Sequence, residues 1–251
     1  MSQSLGGINL LIPPVGPAIQ GAEPWQIQFY KPAVQDVLKH VKQFSYCDTA
    51  SINSFLLHAH FNIKAIEYME EVISERQSQG LLVTDGWWPH YMNNICKLSL
   101  GNWHSALRKK AHIYVTQCYK WDPENYHEVN LSIMKDLLGD CGAFLRDGID
   151  ENMNCQGYTN NLTHPALASL IIDFFYTSSS LSLGKLFPEV FLAELPRVTV
   201  AIAATVLKVI LDEMVSLQSE VNFRVSTYTL VYLEILGLMK KCDTSVDCDS
   251  C

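Results

Sequence analysis

Residues 196–215 read PRVTVAIAATVLKVILDEMV, and this stretch decides the fold of the 251-residue chain. Apolar residues recur in it at steps of three and four, the spacing that aligns side chains along one side of an α-helix. Its opening proline suits the first turn of a helix. The apolar run 198–211 is interrupted by Lys208 and followed by acidic residues, whereas a membrane span requires about 20 apolar residues. The stretch therefore predicts a buried central helix.

The same spacing extends outward over most of the chain and predicts further helices. Pro32 begins the first of them, and Asp48 caps a longer helix that ends at Gly80. A short helix over 91–98 is broken at Gly101, and further helices follow over 102–119, after Thr163 and from Ser226 onward. The inner face of the Asp48 helix is expected to consist of Ile52, Phe55, Leu56, Ala59, Ile63, Ile66, Met69 and Ile73. We therefore predict an all-α fold, a single compact bundle of about eight or nine helices around the central apolar helix.

The distribution of prolines, glycines and cysteines along the chain predicts three regions. Prolines and glycines concentrate in residues 1–31, which we interpret as an extended N-terminal arm. Residues 32–241 form the predicted helical domain. Residues 242–251 form a mobile Cys-rich tail, in which Cys242, Cys248 and Cys251 lack the fourth ligand that a zinc site requires.

Charge and composition exclude several classes of function. The chain holds 18 Lys and Arg against 26 Asp and Glu, a net charge of -8. Nucleic-acid binding requires clustered basic residues, and the one basic run, Arg108 to Lys110, is interpreted as a solvated helix face. The N-terminal apolar stretch is too short for a signal peptide. We expect neither a nucleic-acid nor a membrane partner, and a cytoplasmic or nuclear location in which the cysteines stay free.

The most unusual local composition is the loop that contains Trp87 and Trp88. Two adjacent indoles at a turn do not easily enter one core, so at least one of them can offer aromatic surface for binding. His90 and Tyr91 follow directly. The alternative is a hydrophobic staple at a helix start. We take Trp87, Trp88, His90 and Tyr91 as the candidate binding residues for an unknown protein or an apolar small molecule.

Candidate catalytic residues are fewer. Asp147, Asp150 and Glu151 could hold Mg²⁺ through oxygen ligands, as acidic clusters do in the all-α enzymes of isoprenoid chemistry. The alternative for these carboxylates is a solvated loop with no metal. His60 is a further acid or base candidate, although it borders the apolar face and is more typical of a core histidine. No cofactor is expected outside this Mg²⁺ alternative.

These observations leave two classes of function open. The first is a non-catalytic helical module that binds a protein or an apolar ligand. The second is a small-molecule enzyme with a pocket between helices, so whether the chain is an enzyme stays undecided.

Four segments resemble a family of helical domains from mushroom-forming fungi, known only as a domain of unknown function. They are HSALRKKAHIYVTQCY (104–119), THPALASLIIDFFY (163–176), LGKLFPEVFLAELPRVTVAIAATVLKVILDE (183–213) and FRVSTYTLVYLEIL (223–236). The likeness covers roughly residues 33 to 241, and its matched positions are mostly core and capping residues. It implies a shared helical fold and an intracellular fungal protein, without implying a reaction.

Overall fold

The regular elements of the chain are helices. The computed structural model describes residues 21–23, 26–55, 58–81, 90–119, 131–132, 134–135, 137–138, 143–146, 162–177, 182–216 and 225–245, and no strand occurs among them. The α-helices in these ranges are α1 (Pro32–Ser51), α2 (His58–Ser78), α3 (His90–Cys118), α4 (Pro165–Ile171), α5 (Leu183–Leu186), α6 (Pro188–Phe191), α7 (Arg197–Ser216) and α8 (Val225–Ser245). A π-helix, Ile172–Thr177, continues α4, and short 3-10 turns cover Ile27–Phe29 and Ala143–Leu145. The all-α prediction is confirmed.

The described residues group into two compact units. The first lies within Met1–Lys42 and Ala59–Ser99, and the second lies within Gln43–His58 and Leu100–Cys251. In the first unit, the opening part of α1 and most of α2 supply buried side chains such as Leu38, Val41 and Met69.

The core of the second unit is built on α7, as the sequence predicts. This helix packs against α4 and α8, and its centre from Ala201 to Leu207 is buried on every side. Its alanines have small side chains, which allows neighbouring helices to approach closely. Thr199 is also buried, and its hydroxyl donates a hydrogen bond of 2.6 Å to the carbonyl oxygen of Ala50. The buried polar group is thereby satisfied.

Aromatic rings fill the second unit beside α7. Trp103 stacks on Tyr46 with ring centroids 5.8 Å apart, and it meets Phe174 edge to face at 5.4 Å. Burial of large rings contributes strongly to core stability, and such ring geometries add to it. Within the described ranges, no helix has the length and hydropathy needed to cross a bilayer.

The first helices differ from the prediction in their boundaries. α1 runs past Asp48 to Ser51, so Asp48 lies inside a helix and does not cap one. α2 begins afresh at His58 and buries Phe61, Ala65, Met69 and Val72, whereas Ile52, Ile63 and Ile66 are exposed. The predicted inner face treated the segment from Asp48 to Gly80 as one helix. The break between α1 and α2 resets the helical phase, and residues before a break cannot determine which side is buried after it.

The end of α2 agrees with the prediction. Gly80 has φ +69°, a left-handed conformation that glycine adopts without strain. Its N–H donates to the carbonyl of Gln77 at 3.0 Å, and the N–H of Leu81 donates to the carbonyl of Arg76 at 2.9 Å. These two bonds form a Schellman motif, which satisfies the last carbonyls of the helix.

α3 passes through Gly101 without interruption, so the predicted break there is wrong. A glycine inside a helix weakens it by about 1 kcal/mol relative to alanine, and the other residues of a long helix can offset that cost. The Cβ position of Gly101 faces open space. No packing contact therefore requires glycine at this position.

Replacing Gly101 with alanine should raise the free energy of unfolding by about 0.5 to 1 kcal/mol, because alanine loses less backbone entropy in a helix. Gly184→Ala serves as a control of opposite sign, because its Cβ would lie 2.5 Å from Cδ1 of Tyr176. The Tyr176 ring is held by a hydrogen bond of 2.8 Å to the carbonyl of Phe191. Urea unfolding measures both variants, and a destabilised Gly101→Ala protein would show that α3 needs the glycine.

Candidate protein-binding surface

The predicted aromatic site falls largely outside the described residues. Trp87 and Trp88 are not among the described residues. His90 and Tyr91 begin α3, but their side chains are not described. The four residues therefore remain candidate binding residues on sequence grounds. The predicted tail is partly helical, since α8 continues to Ser245.

The predicted carboxylate site also lies outside the description, since Asp147, Asp150 and Glu151 fall between the described ranges. The Mg²⁺ alternative therefore stays a prediction. Among the described residues, no group of three or more His, Cys, Asp or Glu side chains could hold a metal ion. His60 is exposed on α2, so its interpretation as a core histidine is wrong.

One polar cluster of the second unit surrounds Asp173 in the π-helix. Asp173 Oδ2 accepts hydrogen bonds from Lys110 Nζ at 2.7 Å and from the Tyr114 hydroxyl at 2.9 Å. The Lys110 hydrogen bond is the main cause that holds the pKa of Asp173 below its ordinary value. Short π-helical turns often occur at functional sites. Here the carboxylate is already engaged by two donors from α3, an arrangement that stabilises the turn.

A second polar cluster joins α3 to the end of α7. Arg108 Nη2 lies 2.7 Å from Glu213 Oε1, and the Glu213 side chain is only 10% exposed. Lys208 Nζ lies 3.0 Å from Asp212 Oδ2 on the same helix. Burial raises the pKa of Tyr228 on α8 to about 12, and the nearby Asp212 and Glu213 charges add to that shift. These groups pair with one another inside the fold.

The two clusters correct the interpretation of the basic run. Arg108 and Lys110 point to different sides of α3 and each forms an ion pair with an acidic residue, whereas Lys109 is exposed. Residues two apart on a helix diverge by about 200°, so Arg108 and Lys110 reach different acidic partners while Lys109 between them faces solvent. The solvated-face prediction therefore holds for Lys109 and is wrong for its two neighbours.

Exposed apolar side chains lie on the outer side of α2 in the first unit, as they also do at Leu230 and Leu233 on α8. Ile63 is 56% exposed and Ile66 is 41% exposed. They are three residues apart, so they lie on the same side of the helix. The opposite side carries the buried stripe that begins at Phe61. Burial of that stripe decides the orientation of α2 and thereby turns both isoleucines outward.

Three exposed glutamates share this outer side, Glu67, Glu70 and Glu71, and the exposed Glu75 lies farther round the helix, on the flank away from Ile66. Like charges at i and i+4 on a helix destabilise it by about 0.2 to 0.5 kcal/mol per pair. The exposed Lys64 offsets part of this charge, since its Nζ lies 2.7 Å from Glu67 Oε2. Glu75 stands in the last turn, where the helix dipole disfavours an anion. These glutamates therefore do not stabilise α2 by themselves.

α2 is fixed to α1 beneath this side. Arg76 Nη2 lies 2.9 Å from Asp36 Oδ2, with 21% of the Arg76 side chain exposed. The same nitrogen lies 3.1 Å from His40 Nε2. We call the set of Ile63, Ile66, Glu67, Glu70 and Glu71 the α2 face. The face is presented on a capped, anchored helix, which preorganises it for contact.

The α2 face is not evident from the spacing of apolar residues, which places its isoleucines in the core. A signal was available, because Glu70 lies between Ile63 and Ile66 around the helix and interrupts the isoleucine stripe with a charge. Testing the stripe from Phe61 through Ala65 to Met69 and Val72 against the isoleucine stripe would have favoured the former, since it carries no charge between its apolar members.

Comparisons with known proteins identify the family of the chain and no function. Neither the search of the curated proteins nor the search of the solved structures finds a match. The model of one family, the domain of unknown function DUF6532, matches residues 33–242. This range spans all the described helices except the start of α1 and the end of α8. The chain belongs to the DUF6532 family.

Proposed function

We propose that this chain is a non-catalytic helical module that binds a protein partner through the α2 face. The observation that carries the proposal is the combination of the exposed Ile63 and Ile66, 56% and 41%, with the exposed glutamates Glu67 and Glu70 beside them on an anchored helix. Exposed apolar pairs at this spacing are suited to contact with a second helix, which anchors at i, i+3 and i+4 positions. Removing both isoleucines from water supplies hydrophobic driving force for association.

A protein partner is favoured over an apolar small molecule by the shape of the surface. Small ligands bind in concave pockets that surround most of their area, whereas the outer side of a helix is convex. The low-exposure ionisable groups of the second unit support a binding function over a catalytic one, because Asp173 and Glu213 are already paired with lysine and arginine. A general acid or base would have to leave such a pair before it could transfer a proton.

The proposed setting is the cytoplasm or nucleus of a fungal cell. The resemblance of the four segments to the fungal helical domains supports the source. Cys47 and Cys118 are free thiols, which is the usual state of cysteines in a reducing compartment.

The test compares matched surface variants in affinity capture from a fungal extract, with captured proteins quantified by mass spectrometry. Ile63→Ser/Ile66→Ser removes the apolar pair, and Leu230→Ser/Leu233→Ser removes an equally spaced exposed pair on α8. We expect the isoleucine variant to lose at least one specific partner about tenfold while the leucine variant retains it. The variant Trp87→Ala/Trp88→Ala forms a third arm, which tests the prediction that the two indoles contact the partner.

Circular dichroism establishes that each variant is folded before capture. Identical capture by the wild-type chain and the isoleucine variant would reject the α2 face as the binding site. Loss of the partner in the tryptophan variant alone would move the binding site to the indole loop.

A further inference from the structure

We infer that the partner presents a cationic amphipathic helix to the α2 face. This inference rests on the proposed function and adds the chemistry of the partner to it. Two observations carry it: the arrangement of apolar and acidic residues around α2, and the absence of balancing exposed cations among the described residues of that helix.

The outer side of α2 combines a narrow strip of isoleucines with exposed glutamates. At about 100° per residue, Ile63, Ile66 and Ile73 fall within roughly 80° of one another, and Ile73 is half-buried at the edge of the strip. Glu70 lies between Ile63 and Ile66 around the helix, Glu67 lies about 40° beyond Ile63, and Glu71 lies about 40° farther along the same flank. A helix that packs on the isoleucines would therefore contact Glu70 and bring one flank against Glu67 and Glu71.

The charges favour a cationic flank. Lys64 is the one exposed cation among the described side chains of α2, and it already lies 2.7 Å from Glu67. Arg76 is engaged with Asp36 at 2.9 Å. Glu70 and Glu71 therefore have no cation within ion-pair distance among the described residues. A row of lysines or arginines on the partner would relieve the repulsion among the glutamates and steer the approach of the partner.

The same charges disfavour other occupants. A second copy of the chain would bring one set of glutamates against another, and each copy carries a net charge of -8. Nucleic acid and anionic lipid surfaces are repelled for the same reason. The apolar strip is too narrow to hold an uncharged partner by burial alone, so we assign binding to apolar and electrostatic contacts together.

The experiment uses the intact chain and two synthetic 14-residue amphipathic peptides. One peptide is built from Leu and Lys, and the other carries Glu in place of every Lys. Fluorescence anisotropy gives Kd for labelled peptides at low and high salt. We expect the Lys peptide to bind at least about tenfold more tightly than the Glu peptide, with affinity falling as salt rises.

Charge-matched variants locate the binding. Glu67→Gln/Glu71→Gln removes two charges from the α2 face, and Glu189→Gln/Glu194→Gln removes two exposed charges from the second unit. We expect the first pair to weaken binding of the Lys peptide about fivefold to tenfold, and the second pair to change it less than about twofold. Equal weakening by both pairs would overturn the inference, because it would indicate attraction to the net charge of the whole chain.

The isoleucine variant separates this inference from the proposed function. If Ile63→Ser/Ile66→Ser abolishes binding while Glu67→Gln/Glu71→Gln leaves it unchanged, the α2 face stands and the cationic class of partner is overturned. If the isoleucine variant binds the Lys peptide as tightly as the wild-type chain, both the binding role of the α2 face and the cationic class of partner are rejected. All of these side chains are exposed, so circular dichroism should record unchanged folds.

Discussion

Leu207→Ala is expected to lower the free energy of unfolding by about 3 to 5 kcal/mol, measured by urea denaturation. Leu207 lies at the centre of α7 and is 0% exposed. Truncation removes the transfer free energy of the side chain and leaves a cavity among helices that pack closely on the small residues of α7. The effect should rank among the largest of any single leucine, because α7 forms the core of the second unit.

Leu230→Ala on α8 provides the matched control. Leu230 is 66% exposed, so its truncation should change the free energy of unfolding by less than about 0.5 kcal/mol. A loss below about 1 kcal/mol for Leu207→Ala would mean that α7 is not the centre of the core.

Arg108→Met is the second substitution with a large expected effect. It leaves Glu213, whose side chain is 10% exposed, without the cation that lies 2.7 Å away. An uncompensated charge in such a largely buried position costs at most about 3 to 5 kcal/mol of folding free energy. Met approximates the length of the Arg side chain, so the loss should come chiefly from the charge and less from packing.

The neighbouring Lys109→Met removes the same charge from an exposed position and should change stability by less than about 0.5 kcal/mol. The double variant Arg108→Met/Glu213→Leu should recover much of the loss, because replacing a buried pair with apolar side chains is often nearly neutral. Equal effects of the two single substitutions would show that the Arg108 pair contributes no more than a surface charge.

The sequence predicted the second unit better than the first. The centre of the run 196–215 is apolar on nearly every side, so both its helical state and its burial followed directly from its composition. The last helix has one dominant stripe, and Tyr228, Tyr232 and Ile235 are buried as its pattern indicates. Where one stripe dominates, hydrophobic burial leaves a single orientation of the helix.

The first unit contains competing patterns. α2 carries two apolar stripes, and only the tertiary packing of Phe61 and Met69 selects between them. The helix boundary after Ser51 has no glycine or proline nearby, so local signals did not indicate it. Gly101 shows the converse, since a residue that favours termination lies inside the long α3. Tertiary contacts outweigh local propensity in both cases.

The candidate site was harder to predict than the fold. Pairing of Arg108 with Glu213 and of Lys110 with Asp173 joins residues far apart in the sequence, so spacing could not reveal it. Exposure of Ile63 depends on the orientation of α2, which the sequence left open. The predicted indole and carboxylate sites rest on composition alone and remain predictions.

The α2 face offers a direct way to test the account, because binding to one side of a helix slows the opening of that helix. Amide hydrogen exchange of the intact chain, with and without a saturating concentration of the Leu and Lys peptide, measures this effect for each segment. We predict slower exchange in α2 between Ile63 and Glu75, with no change in α8. Protection confined to another helix, or no protection at saturation, would contradict the claim that the α2 face binds the partner.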